Sequence, residues 1–262
     1  MSTDRTLLLA GNWKMNLDHL EAISTVQKLA WALRDAKVDL TAVDVVVLPP
    51  FTDIRSVQTL IQGDSLDMAY GGQDLSAHDE GAYTGEVSGR FLSRLGCSYV
   101  IIGHSERREH HGETDAQVRS KVEAALRHEL TPILCVGEPL EVREAGEHVA
   151  HTLDQLAAAL DDLPSADLGG LVVAYEPVWA IGTGKTATAA DAAEMCTALR
   201  EKLRELLGAD TAQSVRLLYG GSVKADNVAE ITEHPEVDGA LIGDASLDPD
   251  GFAALCRAAT AR

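Results

Sequence analysis

The chain has 262 residues, of which 45% are hydrophobic, and its 22 Lys and Arg residues are outnumbered by 41 Asp and Glu residues. The formal charge of −19 repels nucleic acids and anionic membrane surfaces, so neither is expected as a partner. The length and the hydrophobic content fit one large domain with a substantial core.

The four cysteines lie at positions 97, 135, 196 and 256, a spacing typical of neither a metal site nor a redox pair. We therefore expect buried free thiols, no bound metal and no disulfide. The first residues, MSTDRTLLLAGNWK, lack a basic segment followed by a long apolar run, and no apolar stretch approaches the roughly 20 residues of a membrane span. These features predict a cytoplasmic protein.

Eight short apolar runs recur along the chain, and each is typical of a strand that is buried on both faces. Each run has about five residues, is rich in Val, Ile, Leu and Tyr, and does not alternate with polar residues. The runs occupy residues 7–11, 45–49, 68–72, 99–103, 132–137, 172–176, 216–220 and 240–243.

Amphipathic segments typical of helices follow these runs. In one of them, Thr114 and Gln117 form a predicted capping box ahead of a helix over 115–129. Eight strands alternating with eight helices predict a single closed (β/α)8 barrel spanning residues 1–262, with a doubly wound open sheet as the alternative. The predicted helices occupy residues 18–35, 53–62, 87–95, 115–129, 141–160, 189–207, 226–233 and 249–260.

The stretch EPVWAIGTGKT, residues 176–186, ends like a nucleotide-binding P-loop. That motif requires a glycine five residues before Gly184, but the chain has the bulky Trp179 there. The sequence therefore disfavours the P-loop interpretation. Small residues and two glycines after Glu176 and Pro177 favour a mobile lid instead, with an ordinary loop as the alternative.

Residues with acid, base or cationic side chains follow three of the predicted strands. Asn12 and Lys14 come after the first strand, His104 after the fourth and Glu176 after the sixth. In both candidate folds the ligand binds at the carboxyl ends of the strands, so these side chains are expected to meet there. Taken singly, each has a structural alternative, such as a solvated lysine or a histidine that is satisfied in the core.

Glycine-rich turns follow the last two strands, at Gly220-Gly221-Ser222 and at Gly243-Asp244. In a barrel these two loops commonly bind phosphate through main-chain N–H groups, although a tight turn explains each glycine pair equally well. These two turns would form an anion cradle beside the base Glu176, the electrophile His104 and the cation Lys14. The combination suits proton abstraction beside a carbonyl on a small phosphorylated substrate.

Five motifs, in the same order along the chain, resemble those of the triosephosphate isomerase family. The resemblance extends over about residues 7–255, which is the expected core of the domain. The motifs are GNWKMN (11–16), GAYTGE (81–86), GHSERR (103–108), YEPVWAIGTGK (175–185) and YGGSV (219–223).

The resemblance implies an aldose–ketose isomerase of glycolysis and gluconeogenesis that interconverts dihydroxyacetone phosphate and D-glyceraldehyde 3-phosphate through an enediolate. It implies that Glu176 is the base, that neutral His104 polarises the carbonyl, and that Lys14 and Asn12 bind the substrate. Ser105 and Glu106 would support these residues. No metal or organic cofactor is implied.

The same resemblance implies a phosphate site and a lid over residues 177–187 that shields the enediolate from water. The site would use main-chain N–H groups of Gly182, Ser222, Gly243 and Asp244. Asp244 departs from the family, which usually has glycine at this position. We expect its side chain to turn to solvent and its backbone to fit less well than that of glycine.

The segment 71–86 resembles a loop that inserts into a second subunit in this family, which implies a homodimer. Tyr83 would anchor the loop and Thr84 would reach the Asn12 region of the partner subunit. Glu86 would pair with Arg107 of the partner subunit. Two alternatives for the function remain open: an isomerase of another short sugar phosphate, such as a tetrulose phosphate, and a barrel that binds phosphate without catalysis.

Overall fold

Eight parallel strands form a closed barrel in the computed structural model, which describes residues 5–181 and 187–261. The barrel closes between the last strand and the first, from Leu8 opposite Gly239 to Gly11 opposite Ile242. The predicted barrel is confirmed, and the open sheet is excluded. The strands are β1 Leu7–Asn12, β2 Val43–Leu48, β3 Ala69–Gly72, β4 Tyr99–Ile102, β5 Thr131–Val136, β6 Val172–Tyr175, β7 Arg216–Tyr219 and β8 Gly239–Ile242.

Helices surround the barrel, and none of the described ones is long and apolar enough to cross a membrane. The longest, after β1 and β6, begin at the aspartate and threonine capping boxes Asp18/Glu21 and Thr188/Asp191. The helices are α1 His19–Asp35, α2 Ile54–Gly63, α3 Gly89–Arg94, α4 Ser105–His111, α5 Asp115–Arg127, α6 Leu140–Glu144, α7 His148–Leu160, α8 Ala189–Leu207, α9 Ala209–Ser214, α10 Val228–Glu233 and α11 Pro249–Thr260.

Two differences from the predicted helices have local causes. The helix predicted over 141–160 is divided into α6 and α7, because Gly146 between them has a φ of +75° that no helix continues. Helices α4 and α9 were not predicted, because they are too short and too polar to give a periodic apolar pattern. The predicted capping box of Thr114 and Gln117 is confirmed at the start of α5.

Each strand buries side chains on both faces, which explains why its sequence is apolar without alternation. In β1, Leu8 and Ala10 belong to the cluster that fills the barrel, whereas Leu9 packs outward against the helices. The filled interior leaves the carboxyl ends of the strands as the place where a ligand can bind.

Gly137 allows strands β5 and β6 to approach closely where they end. A Cβ atom on this residue would lie 1.7 Å from the carbonyl oxygen of Glu176. The Glu176 N–H also donates to the carbonyl oxygen of Val136 at 2.8 Å. The backbone of Glu176 is therefore fixed by its neighbouring strand before its side chain makes any contact.

Replacing Gly137 by alanine is expected to destabilise the protein by about 3 kcal/mol, because backbone that is already packed must move to admit a methyl group. The measurement is the free energy of unfolding from urea denaturation. Gly170→Ala is the matched control, since a Cβ there would meet nothing within 4 Å. Similar stability of the two variants would contradict the close approach of β5 and β6.

Candidate active site

A cavity of about 860 Å³ opens at the carboxyl ends of the strands, and most of the predicted site residues line it. Gly182 lies outside the described residues. Tyr83, Thr84, Glu86 and Arg107 do not line the cavity. The predicted residues that line it are Asn12, Lys14, His104, Ser105, Glu106, Glu176, Ser222, Gly243 and Asp244.

His104 is held as a hydrogen-bond donor toward the interior of the cavity. It follows β4 directly and forms the N-cap of α4, where its Nδ1 accepts from the N–H of Glu106 at 3.2 Å. Since Nδ1 accepts, the neutral ring carries its hydrogen on Nε2. That nitrogen lies 3.0 Å from Oε1 of Glu176, and the residue is only 7% exposed.

Glu176 is a carboxylate that is 2% exposed, and donors meet both of its oxygens. The N–H of Ser105 donates to Oε2 at 2.9 Å, and the Ser105 hydroxyl donates to Oε1 at 3.1 Å. A buried carboxylate is costly unless donors of this kind compensate it. The first turn of α4 therefore stabilises the carboxylate of Glu176 and orients His104 beside it.

Lys14 has a φ of +52°, which is uncommon for a residue with a side chain and costs about 1–3 kcal/mol. Its N–H donates to Oδ1 of Asn12 at 3.0 Å, and its carbonyl oxygen accepts from Gln73 at 2.8 Å. These bonds hold the strained backbone and aim the ammonium group into the cavity. There, Nζ lies 2.6 Å from Oε1 of Glu106.

Glu106 is ionised beside Lys14. Burial by itself raises the pKa of its carboxyl, but the hydrogen bond from Lys14 and the positive charge of Lys14 outweigh burial and hold that pKa below its usual value. A substrate anion that binds Lys14 therefore competes with a carboxylate.

Main-chain N–H groups that follow β7 and β8 line the same cavity. Those of Ser222, Gly243 and Asp244 have no acceptor among the described residues, so they are available to an anion. A Cβ on Gly243 would lie 3.5 Å from Cε of Lys14, which puts that cation beside the same turn. The arrangement suits a phosphate group.

Asp244 is exposed and begins a 3-10 turn, Asp244–Ser246. The expected poor fit of aspartate to the backbone is wrong, because this right-handed turn is open to any residue. The unusual angles fall on the preceding residue, Gly243, with φ −82° and ψ −119°. What distinguishes the position is therefore its charge.

Glu138, which follows β5, was not predicted from the sequence. It is fully buried, and its Oε1 accepts from Nε1 of Trp179 at 2.8 Å and from the hydroxyl of Tyr175 at 3.0 Å. The guanidinium of Arg143 lies 4.9 Å from the ring centre of Trp179. Burial and the nearby Glu138 carboxylate raise the pKa of Tyr175, so the tyrosine remains a donor. These contacts fasten the start of the predicted lid.

Three further residues with ionisable side chains that line the cavity were missed, namely Glu109 and His110 on α4 and Lys224 after β7. Lys224 carried a signal, since it is a basic residue three positions after the Gly220-Gly221 turn that follows a strand. Glu109 and His110 carried none, because the position of a residue on a short polar helix is not evident from the sequence.

The residues of the predicted subunit contact lie away from the cavity. Tyr83 stacks on His78 with ring centres 3.8 Å apart, and Thr84 and Glu86 are exposed. Arg107 forms ion pairs within its own chain, with Asp74 at 3.0 Å and with Glu113 at 2.6 Å.

The four cysteines are buried and unpaired, as predicted. Cys135 lies inside the barrel, where burial and then the charge of Glu176 raise the pKa of its thiol well above the usual value. Because the thiolate is the reactive form, we expect the buried Cys135 thiol to react slowly.

The chain is similar to known proteins along nearly its whole length. The model of the family described as "Triosephosphate isomerase" matches residues 7–259. Proteins named triosephosphate isomerase from Streptomyces avermitilis and Streptomyces coelicolor are 60% and 61% identical over 255 residues, which is 97% of this chain and 98% of each relative. A protein of the same name from Mycobacterium tuberculosis is 59% identical over 251 residues, 96% of this chain and 95% of the relative.

Proposed function

The chain belongs to the triosephosphate isomerase family, and from that premise we propose that Glu176 and His104 interconvert dihydroxyacetone phosphate and D-glyceraldehyde 3-phosphate through an enediolate. Like its relatives, the protein is an isomerase of triose phosphates. One observation carries the assignment of roles: a carboxylate oxygen and an imidazole Nε2 lie 3.0 Å apart in a cavity that also contains a lysine.

In the first step, the carboxylate of Glu176 takes a proton from C1 of dihydroxyacetone phosphate. The C–H electrons form the C1–C2 double bond, and the carbonyl oxygen on C2 receives the negative charge. His104 donates its Nε2 hydrogen toward that oxygen, where the charge develops. To reach the substrate, the carboxylate leaves Ser105, whose N–H and hydroxyl donate to it.

In the second step, the protonated Glu176 returns its proton to C2, and an aldehyde forms at C1. His104 moves the hydroxyl proton between the two oxygens, and the carboxylate is regenerated. No electrons enter or leave, so the reaction is complete without a cofactor.

Lys14 supplies the positive charge for the enediolate and the phosphate. When the substrate binds, the ammonium group leaves Glu106 and pairs with the substrate. Asn12 contributes a side-chain amide whose Nδ2 has no acceptor among the described residues. The phosphate binds the N–H groups of Ser222, Gly243 and Asp244, joined by Gly182 from the predicted lid. Closure of the lid over residues 177–187 excludes water, which protects the enediolate phosphate from elimination.

We also propose a cytoplasmic homodimer that acts in glycolysis and gluconeogenesis. Buried free cysteines suit a reducing compartment. The dimer is supported by apolar side chains exposed near the cavity entrance and on the loop over 71–86, namely Met15, which is 95% exposed, and Tyr83, which is 44% exposed. In this dimer Thr84 approaches Asn12 of the partner subunit.

The reaction is tested by isomerisation of glyceraldehyde 3-phosphate, compared with a tetrulose phosphate. Glu176→Gln is expected to lower kcat by about 10²–10⁴-fold because it removes the base. His104→Ala is expected to lower kcat by about 100-fold because it removes a donor to the developing charge.

Glu205→Gln is the matched control for Glu176→Gln, because it removes an exposed carboxylate on α8. Faster turnover of the tetrulose phosphate would favour an isomerase of a different sugar phosphate. Bound phosphate without turnover of either sugar would favour a barrel that binds without catalysis. Glu176→Gln with wild-type turnover would overturn the assignment of the base.

The dimer is tested by sedimentation and activity on the same dilution series. Tyr83→Asp is expected to shift the chain toward monomers and to lower activity in parallel, since it places a charge where an aromatic ring packs against the partner. Full activity of a sedimenting monomer would show that each cavity is complete in one chain.

A further inference from the structure

The charges around the cavity present a difficulty for an enzyme whose substrate is a phosphate dianion. Among the described residues that line the cavity there are four carboxylates and two ammonium groups. The chain as a whole carries a formal charge of −19. Both the local and the overall charge therefore oppose the substrate. The carboxylates are Glu106, Glu109, Glu176 and Asp244, and the ammonium groups are Lys14 and Lys224.

The two lysines are not equally available. Lys14 is already paired with Glu106, at 2.6 Å. Lys224 is exposed, and its ammonium group forms neither an ion pair nor a hydrogen bond with any described residue. Lys224 is thus the lysine whose charge is available to an incoming anion.

The backbone of Lys224 is fixed relative to the anion cradle. Its N–H donates to Oδ1 of Asn227 at 2.8 Å, and Nδ2 of the same asparagine donates to the carbonyl oxygen of Ser222 at 3.1 Å. One side chain therefore joins the residue that carries the ammonium group to the residue that offers its N–H to the phosphate.

Asp244 lies in the turn that follows β8 and lines the same cavity as Lys224 and Ser222. Its carboxylate is exposed and has no ion-pair partner among the described residues. Its own N–H, like that of Gly243, has no acceptor among the described residues. A phosphate bound there would lie beside a carboxylate, which weakens binding unless a cation offsets it.

We propose that Lys224 binds the phosphate group of the substrate as a second cation, and that it offsets the repulsion from Asp244. Together the charges of the two residues determine how strongly the cavity binds a dianion. This inference rests on the proposed function and adds a binding residue to it. Lys224 takes no part in the proton transfers, so it acts on binding and not on the chemical step.

The test measures the dissociation constant of inorganic phosphate by calorimetry and the KM of glyceraldehyde 3-phosphate by turnover. Lys224→Met is expected to raise both about two- to fivefold, the scale of a solvent-exposed charge pair, with kcat within about twofold of the wild type. Lys224→Arg is expected to keep both constants near the wild-type values.

Lys202→Met is the matched control, because Lys202 is paired with Glu205 on α8 and does not line the cavity. It changes the net charge by the same amount as Lys224→Met. Equal increases in both variants would attribute the effect to net charge and would overturn the proposal. Unchanged phosphate binding in Lys224→Met would overturn it directly.

The Asp244→Asn variant separates the binding of phosphate by Lys224 from the offset of the repulsion by Asp244. It is expected to tighten phosphate binding about twofold by removing an exposed charge, and Lys224→Met is expected to weaken binding in this background as well. Loss of the Lys224 effect in this background would contradict direct contact with the phosphate. If phosphate binding follows the expected order while the wild type does not turn over the triose, the proposed function fails and the anion site remains.

Discussion

The hydrogen bond from the N–H of Glu106 to Nδ1 of His104, at 3.2 Å, determines what the rest of the site can do. It leaves the hydrogen of the neutral imidazole on Nε2, the nitrogen that faces Glu176 at 3.0 Å. A hydrogen-bond donor and a carboxylate then lie side by side. The same turn of α4 holds Glu176 through Ser105, so one short helix organises both residues.

The barrel supplies the precision that this arrangement requires. His104 follows β4 and Glu176 follows β6, and β5 lies between those strands in the sheet. Because Gly137 has no side chain, β5 and β6 approach closely at the level of Glu176. Because the strands are buried on both faces, their ends are set by packing that extends through the whole molecule, and the site inherits that rigidity.

The sequence predicted the eight strands because a strand buried on both faces leaves a continuous apolar run, and it predicted His104 and Glu176 because polar groups directly after such runs converge at one end of a barrel. It did not predict the link between Lys14 and Glu106, nor the role of Glu138. Those contacts join residues far apart in the chain, and the spacing of apolar residues along the sequence gives no sign of them. The charge of Asp244 was evident from the sequence. That its backbone adopts the right-handed conformation of a 3-10 turn, which any residue can adopt, was evident only from the structure.

The most direct measurement is the 15N NMR spectrum of histidine-labelled protein at pH 8, saturated with inorganic phosphate. A His104→Gln variant identifies the signals of His104 among the nine histidines. We predict an unprotonated Nδ1 and a protonated Nε2. A hydrogen on Nδ1 would contradict this prediction, because the N–H of Glu106 could not then donate to that atom and Nε2 would have no hydrogen to offer the carbonyl oxygen.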